Sequence, residues 1–371
     1  MSEIKKIQEK IDAIELELSR TQINKATMHH ICLRKAMLAR LKRDVLEAAT
    51  RKAGGPGQGW EVKRSGDARI GLFGFPSVGK STLLNALTGQ SSKVAAYEFT
   101  TLTPVPGILN INGAKIQILD LPGILEGAAD GYGRGKQVIS IARTCSLILM
   151  VLDGMKSLDL VKILEKELAG YGIKLNKQPP KIRVDVRDRN GYAITSSVEQ
   201  PYITTELVEE IMKTQYRIQH AVVHFDQVAT IDDLIDVLEG NRVYIKCIYV
   251  INKCDQLWPE YTAALALRDH TMCVSAFSGY NLKELVDAIW KELNLIRVFT
   301  QPKGCDPDPD PLVLSSDRNT IEDFCNKIHT SIVERFKLAW VSGKSVKHSP
   351  GQVGLRHELM DGDTVTLVLS G

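Results

Sequence analysis

Long apolar runs are missing from this 371-residue sequence, since the longest, Leu147 to Leu152, has six residues. A membrane-spanning helix needs about 20, and we therefore expect no integral membrane protein. The first 17 residues carry five acids and no apolar segment of the kind found in signal peptides, so we expect no secretory signal or transit peptide. An excess of one charge is missing too, because 47 Lys and Arg face 44 Asp and Glu. Any nucleic-acid contact must therefore rest on local patches.

Closely spaced cysteine pairs are also absent. The seven cysteines are scattered, and none forms a C-x-x-C pair: Cys32, Cys145, Cys247, Cys254, Cys273, Cys305 and Cys325. This pattern is typical of reduced thiols in a cytosolic protein and argues against a disulfide framework or a zinc site. We therefore expect a cytoplasmic location.

The first 52 residues are predicted to form a basic helical hairpin. Apolar residues recur there at steps of three and four in two series: Ile4, Ile7, Ile11, Ile14, Leu18 and Leu33, Met37, Leu41, Val45. Between Arg20 and Lys52, nine Lys and Arg face two acids. Two interpretations stay open and are compatible with each other: a hairpin docked on its own domain with a solvated basic face, and a surface that neutralises RNA phosphates.

A glycine-rich stretch, Gly54 to Gly59, predicts a linker after the hairpin. From Ala68 onward, apolar strands alternate with amphipathic helices, which predicts an α/β domain with a mostly parallel sheet. The predicted strands are 70–73, 115–119, 147–152, 247–251 and 272–274. Residues 176–235 interrupt the alternation, and their short strands at 182–186 and 221–225 around a helix near 206–216 predict a small α+β insert.

The C-terminal 60 residues are predicted to form a unit of their own behind a second, proline-dense linker at 301–311. Thr320 and Asp323 have the spacing of a helix capping box. One helical face is predicted to follow, and a closing strand is expected at the end of the chain. The face comprises Ile321, Phe324, Ile328, Ile332 and Phe336, and the strand Val365, Leu367 and Leu369.

Residues 74–81 match G-x-x-x-x-G-K-[ST], between a predicted strand and a predicted helix. In such a loop, glycines allow backbone N–H groups to surround phosphates, and the helix N-terminus adds favourable partial charge. Lys80 is predicted to neutralise the β- and γ-phosphates and Ser81 to offer its hydroxyl to Mg²⁺. The predicted phosphate-binding residues are Gly74, Phe75, Pro76, Ser77, Val78, Gly79, Lys80, Ser81 and Thr82.

Asp120, Leu121, Pro122 and Gly123 fit D-x-x-G at the end of a predicted strand, where α/β proteins bind ligands. We predict that the carboxylate holds Mg²⁺ through water and that the Gly123 N–H meets the γ-phosphate. Between this motif and the phosphate loop lie Phe99, Thr100, Thr101, Leu102 and Thr103. One threonine there is predicted to complete the Mg²⁺ shell when the γ-phosphate is present. Thr101 is our choice and Thr100 the alternative. The predicted catalytic residues are Lys80, Thr101, Asp120 and Gly123.

Asn252, Lys253, Cys254 and Asp255 fit N-K-x-D after another predicted strand. A carboxylate facing guanine accepts hydrogen bonds from N1–H and the 2-amino group, whereas adenine would leave that buried carboxylate unpaired. The motif therefore predicts GTP rather than ATP as ligand. Ser275, Ala276 and Phe277 fit the loop in which a backbone N–H meets guanine O6.

These motifs stand in the order required of a GTPase, and the chain resembles the Obg branch of the translation-factor-related (TRAFAC class) GTPases. More closely, it resembles the developmentally regulated GTP-binding proteins, with details that favour their first eukaryotic subfamily. The matching text is TQINKATMHH at 21–30, GFPSVGKSTLLNALTG at 74–89, AAYEFTTLTPVPG at 95–107, DLPGILEGA at 120–128, GRGKQVISIARTC at 133–145, DLIDVLEGNRVYI at 233–245 and VKHSPGQVGLRHEL at 346–359.

The resemblance implies an α/β P-loop G domain combined with three other parts. These parts are a helix-turn-helix-like hairpin at 1–52, linked through 53–65, an insert similar to a ribosomal-protein domain at 176–235, and a β-grasp TGS domain at 296–371. The G domain itself would comprise 66–175 and 236–295. The resemblance also implies association with ribosomes or RNA, a role in translation at stalled elongating ribosomes, a zinc-finger-containing regulatory partner, and a monomer or heterodimer away from membranes.

Two departures from other GTPases bear on the expected chemistry. Ile124 stands where Ras-type proteins carry a water-orienting Gln, so we expect slow intrinsic hydrolysis that a partner or an ion stimulates; Glu126 is an alternative group for polarising water. The resemblance implies stimulation by K⁺, but Ser77 stands where many potassium-activated relatives carry Asn, which leaves the K⁺ ligands open. Two other functions remain to be tested: an RNA- or ribosome-binding adaptor whose nucleotide is mainly structural, and a P-loop metabolic kinase or ATPase.

Overall fold

A computed structural model describes residues 3–52, 66–89, 105–121, 141–157, 159–170, 172–302 and 304–370. The predicted linker at 53–65 lies outside these residues. None of the described helices is both long enough and apolar enough to cross a membrane.

The first two elements of the described chain are helices, and further helices are interspersed with strands after them. They are α1 (Glu3–Arg20), α2 (Lys25–Lys52), α3 (Lys80–Thr88), α4 (Leu160–Gly170), α5 (Thr205–Thr214), α6 (Ile231–Glu239), α7 (Pro259–Ala266), α8 (Leu282–Leu293), α9 (Ile321–Ile328) and α10 (Thr330–Glu334).

The strands form three sheets. They are β1 (Ala68–Phe73), β2 (Val105–Ile111), β3 (Ala114–Asp120), β4 (Leu147–Asp153), β5 (Ile173–Leu175), β6 (Ile182–Val186), β7 (Tyr192–Ser196), β8 (Ala221–Phe225), β9 (Val243–Asn252), β10 (Thr271–Cys273), β11 (Leu295–Thr300), β12 (Leu312–Ser315), β13 (Phe336–Ser342), β14 (Gly351–Val353) and β15 (Asp363–Leu369).

The described residues fall into two compact units. Unit 1 comprises residues 3–52, 162–170 and 172–245, and unit 2 comprises 66–89, 105–121, 141–157, 159–161, 246–302 and 304–370. The predicted end of the insert at residue 235 falls inside α6, whose apolar face belongs to the core of unit 1.

In unit 1, the α1–α2 hairpin is docked on the insert. Cys32 and Ala36 of α2 are buried in one core with α5, α6 and the sheet β6-β8-β7. Cations of α2 pair with acids and a carbonyl around them: Arg34 with Glu17 at 3.2 Å, Lys35 with Asp232 at 2.9 Å, Lys42 with Glu15 at 2.7 Å, Arg43 with Glu239 at 3.4 Å, and Arg40 with the Gln215 carbonyl at 2.7 Å. Lys35, Arg40 and Arg43 therefore pair outside the hairpin, as the docked interpretation expects, whereas Arg34 and Lys42 pair with α1 inside it.

The main sheet of unit 2 has the order β10-β9-β4-β1-β3-β2, and only β2 runs antiparallel to its neighbour. Helix α3 buries Leu83, Leu84 and Leu87 against this sheet, because those residues recur at helical spacing. Since the strands are parallel, the carboxyl ends of β1, β3, β4 and β9 meet at one edge, which is where α/β sheets place ligands.

The second sheet of unit 2 is mixed, with the order β12-β11-β15-β13-β14. The predicted capping box is confirmed, because Thr320 Oγ1 accepts from the Asp323 N–H at 3.1 Å and the Asp323 carboxylate accepts from the Thr320 N–H at 3.2 Å. The predicted single helical face through Phe336 is wrong. His329 is extended and ends α9, its ring caps α10, and Phe336 lies in β13.

Candidate functional site

The phosphate-loop motif connects β1 to α3 through backbone conformations that favour glycine. Gly74 has φ of 156° and Gly79 has φ of 92°. A Cβ at Gly74 would collide with the Val151 carbonyl, and one at Gly79 would collide with the Asn252 amide. Glycine is therefore required at these two positions of the motif, because the loop closely approaches β4 at the first and the end of β9 at the second.

Lys80 lies at the first position of α3, and its ammonium folds back over the loop. Its Nζ donates to the carbonyls of Gly74 and Phe75, both at 2.9 Å. These bonds hold the positive charge at the mouth of the loop, beside the N-terminus of α3. The arrangement suits an anion with several oxygens.

Ser81 and Asp120 bring two oxygen donors together beside this loop. The Ser81 hydroxyl donates to Asp120 Oδ2 at 2.6 Å. Burial raises the pKa of Asp120, and the Ser81 hydrogen bond and the nearby Lys80 charge offset part of that rise. Hydroxyl and carboxylate oxygens are ligands that Mg²⁺ prefers, so these two side chains fit a magnesium ion bound beside the phosphate loop.

Asn252, at the end of β9, connects the phosphate loop to the loop after β10. It is buried, its Nδ2 donates to the Val78 carbonyl at 2.9 Å, and its Oδ1 accepts from the Ala276 N–H at 3.0 Å. The Ala276 N–H is therefore already engaged by a side chain. Three of the predicted motifs are joined by this one residue.

Lys253 makes a second connection through a residue that sequence reasoning missed. Its Nζ donates to the Ser77 carbonyl at 3.1 Å and to Asp153 Oδ2 at 2.7 Å. Asp153 is the last residue of β4, and Gly154 follows it. An acid followed by glycine at the carboxyl end of a buried parallel strand was the signal available in the sequence.

Comparison with known proteins agrees with this geometry. Residues 69–185 match a family profile described as 50S ribosome-binding GTPase, residues 189–295 match the C-terminal region of the MMR_HSR1 domain, and residues 296–369 match the TGS domain. Developmentally-regulated G-protein 3 of Arabidopsis thaliana is 51% identical over 98% of both chains. The chain belongs to the developmentally regulated GTP-binding proteins.

Other members of this GTP-binding protein family align equally fully. Guanylate binding protein 128up of Drosophila melanogaster is 52% identical over 98% of both chains. Ribosome-interacting GTPase 1 of Saccharomyces cerevisiae is 50% identical over 97% of this chain and 98% of its own. The predicted fold class, an α/β P-loop GTPase domain with N-terminal helices and a C-terminal TGS domain, is confirmed.

The structure places most of the predicted site residues of this family member at one edge of the main sheet. Cys254 is buried, and its thiol, with a pKa raised to about 12 chiefly by burial, donates to the Ile251 carbonyl at 3.0 Å. Asp255 is exposed in the short turn that follows. Ser275 is fully buried, whereas Phe277 is 92% exposed beside it. Of the second motif, Asp120 and the buried Leu121 are described.

The remaining predicted site residues of this family member lie outside the described residues. They are Phe99, Thr100, Thr101, Leu102, Thr103, Pro122 and Gly123, together with Ile124 and Glu126. Their predicted roles stay predictions.

Proposed function

We propose that this chain binds GTP and GDP at the edge of the main sheet and hydrolyses GTP. The observation that carries the proposal is the double hydrogen bond of Asn252, which joins the phosphate loop to the loop after β10. The exposed carboxylate of Asp255 follows three residues later in the chain, and in this proposal it accepts from a guanine N1–H and 2-amino group. In this proposal the Asn252 bonds hold the loop that binds phosphate and the loop that binds the base at a fixed spacing.

Each side chain has a stated task in this proposal. Lys80 neutralises the β- and γ-phosphates, and Ser81 with Asp120 and Thr101 would hold Mg²⁺. When bound, the metal ion neutralises charge that develops on the phosphate oxygens. Gly123 and Thr101 contact the γ-phosphate of GTP, and they lose this contact when hydrolysis removes that phosphate.

Slow intrinsic hydrolysis belongs to the same proposal. Ile124 has no group that orients water, so the attacking water depends on backbone groups, on K⁺ or on a group supplied by a partner. Stimulation by K⁺ rests on the resemblance alone, and the Ser77 carbonyl already accepts from Lys253.

An Asp255→Asn variant tests the base specificity. We expect wild type to bind GDP and GTP in preference to ADP and ATP, and the variant to shift toward xanthosine nucleotides, because an amide presents a donor where xanthine has a carbonyl. The measurement is equilibrium titration with fluorescent guanosine, xanthosine and adenosine diphosphates. Asp269→Asn, which changes an exposed acid between α7 and β10, is the matched control. Unchanged preference in Asp255→Asn would favour the kinase or ATPase alternative.

A role at the ribosome is the second part of the proposal. The yeast relative is named a ribosome-interacting GTPase, and this chain aligns with it over its length. We propose association with ribosomes or RNA in the cytoplasm, action in translation at stalled elongating ribosomes, and a monomer or a heterodimer with a zinc-finger-containing regulatory protein. The proposed domain boundaries are those predicted above.

Basic residues on the C-terminal domain are the favoured RNA contacts, because the cations of α2 between residues 34 and 43 are engaged within unit 1. Arg318, Lys337, Lys344, Lys347 and Arg356 are exposed. Two further cations of this domain are bonded within the protein: Lys327 donates to Asp67 at 2.6 Å, and Arg335 donates to the Ser370 carbonyl at 3.2 Å. Phosphate contacts of this kind weaken as salt rises.

Co-sedimentation with ribosomes tests this part. The chain is spun with ribosomes at fixed moderate salt in the presence of a non-hydrolysable GTP analogue or of GDP, with and without a zinc-finger partner. Preferential pelleting with the analogue supports a nucleotide-gated ribosome factor. Equal pelleting in both states favours the adaptor alternative, and no pelleting in either state removes the ribosome from the proposal.

A further inference from the structure

Asp153 is a buried acid at the end of β4 that is bonded on both carboxylate oxygens. It is 7% exposed. Oδ2 accepts from Lys253 Nζ at 2.7 Å, and Oδ1 accepts from the Met155 N–H at 3.0 Å. Burial would raise the pKa of Asp153, but these bonds and the Lys253 charge outweigh it, so the pKa lies below its usual value. The side chain is therefore a carboxylate at neutral pH.

The ammonium that Asp153 holds also reaches the phosphate loop. In the same side-chain conformation, Lys253 Nζ also donates to the Ser77 carbonyl at 3.1 Å. Lys253 and Ser77 both have left-handed backbones, with φ of 65° and 62°. Neither residue type prefers that conformation, so contacts from the surroundings must maintain it.

Two neighbouring side chains thus hold two neighbouring carbonyls of the phosphate loop. Asn252 holds Val78, and it is itself oriented by the Ala276 N–H. Lys253 holds Ser77, and its other hydrogen-bond partner among the described residues is Asp153. A flexible lysine stem loses several rotamers when it is fixed, so an anchoring charge is needed to keep it in place.

We propose that Asp153 is a positioning residue for guanine-nucleotide binding, acting through Lys253 to fix the distance between the phosphate loop and the base loop. This inference rests on the proposed function. Asp153 touches no nucleotide in this scheme. Loss of Asp153 lowers the affinity for GDP and for GTP by the same factor and speeds the dissociation of both, because the two loops contact parts that both nucleotides share.

An Asp153→Asn variant removes the charge and keeps an oxygen for the Met155 N–H, so the turn after β4 retains its hydrogen bond. We expect affinity for both GDP and a non-hydrolysable GTP analogue to fall about tenfold to hundredfold, the effect of losing a charged hydrogen bond. Asp287→Asn, an exposed acid on α8, is the matched control and should bind as wild type does. Single-turnover hydrolysis of preloaded GTP should be unchanged in the Asp287→Asn control.

Combination with Lys253→Met separates positioning from a general structural role. If Asp153 acts through Lys253, Asp153→Asn adds no further loss of affinity in the Lys253→Met background. If Asp153 has only a structural role that is independent of Lys253, the fold losses of affinity in the two single variants multiply in the double variant. Wild-type affinity in Asp153→Asn, or multiplied losses in the double variant, would overturn the inference.

Folding and the proposed function are controlled separately. Circular dichroism of each variant checks the fold, and Asp153→Ser serves as a second charge-removing variant, because its hydroxyl can still accept from the Met155 N–H. If wild type itself binds no guanine nucleotide, the proposed function fails and the inference fails with it. If wild type binds and the Asp153 variants bind equally well, only the inference fails.

Discussion

Asn252 holds groups from two loops that are far apart in the sequence. It is 3% exposed, and its amide is bonded to the Val78 carbonyl and the Ala276 N–H. In the proposed site the Asn252 side chain bonds to protein groups rather than to the nucleotide. Its removal should therefore be visible even without a ligand.

Asn252→Ala leaves a buried carbonyl and a buried N–H without their partner. Each such group costs about 1–3 kcal/mol, so we expect the free energy of unfolding to fall by about 2–6 kcal/mol. Urea denaturation without nucleotide measures this change, with Asn326→Ala on the exposed side of α9 as the matched control. A change below that of the control would contradict the bridging role.

Asp120 is expected to lower the free energy of unfolding of the nucleotide-free chain while it contributes to metal binding. Its pKa is raised in the fold chiefly by burial, so the folded state holds the proton more tightly than the unfolded state. Above both pKa values, the charged carboxylate therefore lowers the free energy of unfolding, and this penalty disappears as pH falls through the folded pKa.

Asp120→Asn should accordingly raise the melting temperature of the nucleotide-free chain at pH 7, with a gain that shrinks on acidification. The same variant should lose the increase in nucleotide affinity that Mg²⁺ provides. Thermal melts across pH and titrations with Mg²⁺ or chelator measure the two effects, and the exposed Asp317→Asn should show neither. A lower melting temperature at pH 7 would contradict the sign.

At the scale of elements, local sequence chemistry determines where α9 starts, and a single residue determines where it ends. The reciprocal bonds of Thr320 and Asp323 begin the helix. His329 then takes an extended backbone and caps α10 with its ring, whose Nδ1 accepts from the Ser331 N–H at 3.2 Å. The apolar periodicity through Ile332 and Phe336 continues across this break, which is why it predicted one helix.

Thr320→Ala removes the side-chain acceptor of the cap. Loss of an N-cap costs about 1 kcal/mol, so we expect the free energy of unfolding to fall by that amount. Chemical denaturation followed by circular dichroism measures it. Thr330→Ala, at an exposed helical position of α10, should be close to neutral. Equal effects of the two substitutions would mean that the capping box adds no stability.

At the scale of the whole molecule, unit 2 joins the main sheet and the C-terminal sheet through a shared pair of strands. Leu295 of β11 and Val313 of β12 are buried in the core of the main sheet. Ile296 and Leu314, the next residues, are buried in the core of the C-terminal sheet. Alternating residues of one strand pair therefore serve two cores. We expect the two sheets of unit 2 to unfold together.

Val313→Ala and Val341→Ala test this coupling, because both remove two methyl groups from buried valines of the C-terminal sheet. Val313 packs with the main sheet, whereas Val341 packs only within the C-terminal core. We expect Val313→Ala to lower amide hydrogen-exchange protection in β1 and β15 together, by about 1–2 kcal/mol. Because the two sheets are expected to unfold together, Val341→Ala should also lower protection in both β1 and β15. Unchanged protection of β1 in Val313→Ala would contradict a shared core.

Much of the site and many elements could be predicted because their signals are local. The phosphate-loop glycines and Lys80 are adjacent in the chain, and the alternation at 182–186 and 221–225 predicted β6 and β8 with their observed bounds. Asp153 was not predicted, since its partner Lys253 lies 100 residues away and a single acid after a strand is a weak signal.

The sequence by itself determined the family, the phosphate and base motifs, their order and the strands that carry them, because each depends on neighbouring residues whose conformation is local. Only the tertiary structure decided that the cations of α2 pair with groups of α1, of α6 and of the C-terminus of α5, that β11 and β12 serve two cores, and that Asp153 and Asn252 hold the phosphate loop. Those choices depend on burial and hydrogen bonding between residues distant in the chain, and composition and periodicity describe which residues need partners but not which partners they find.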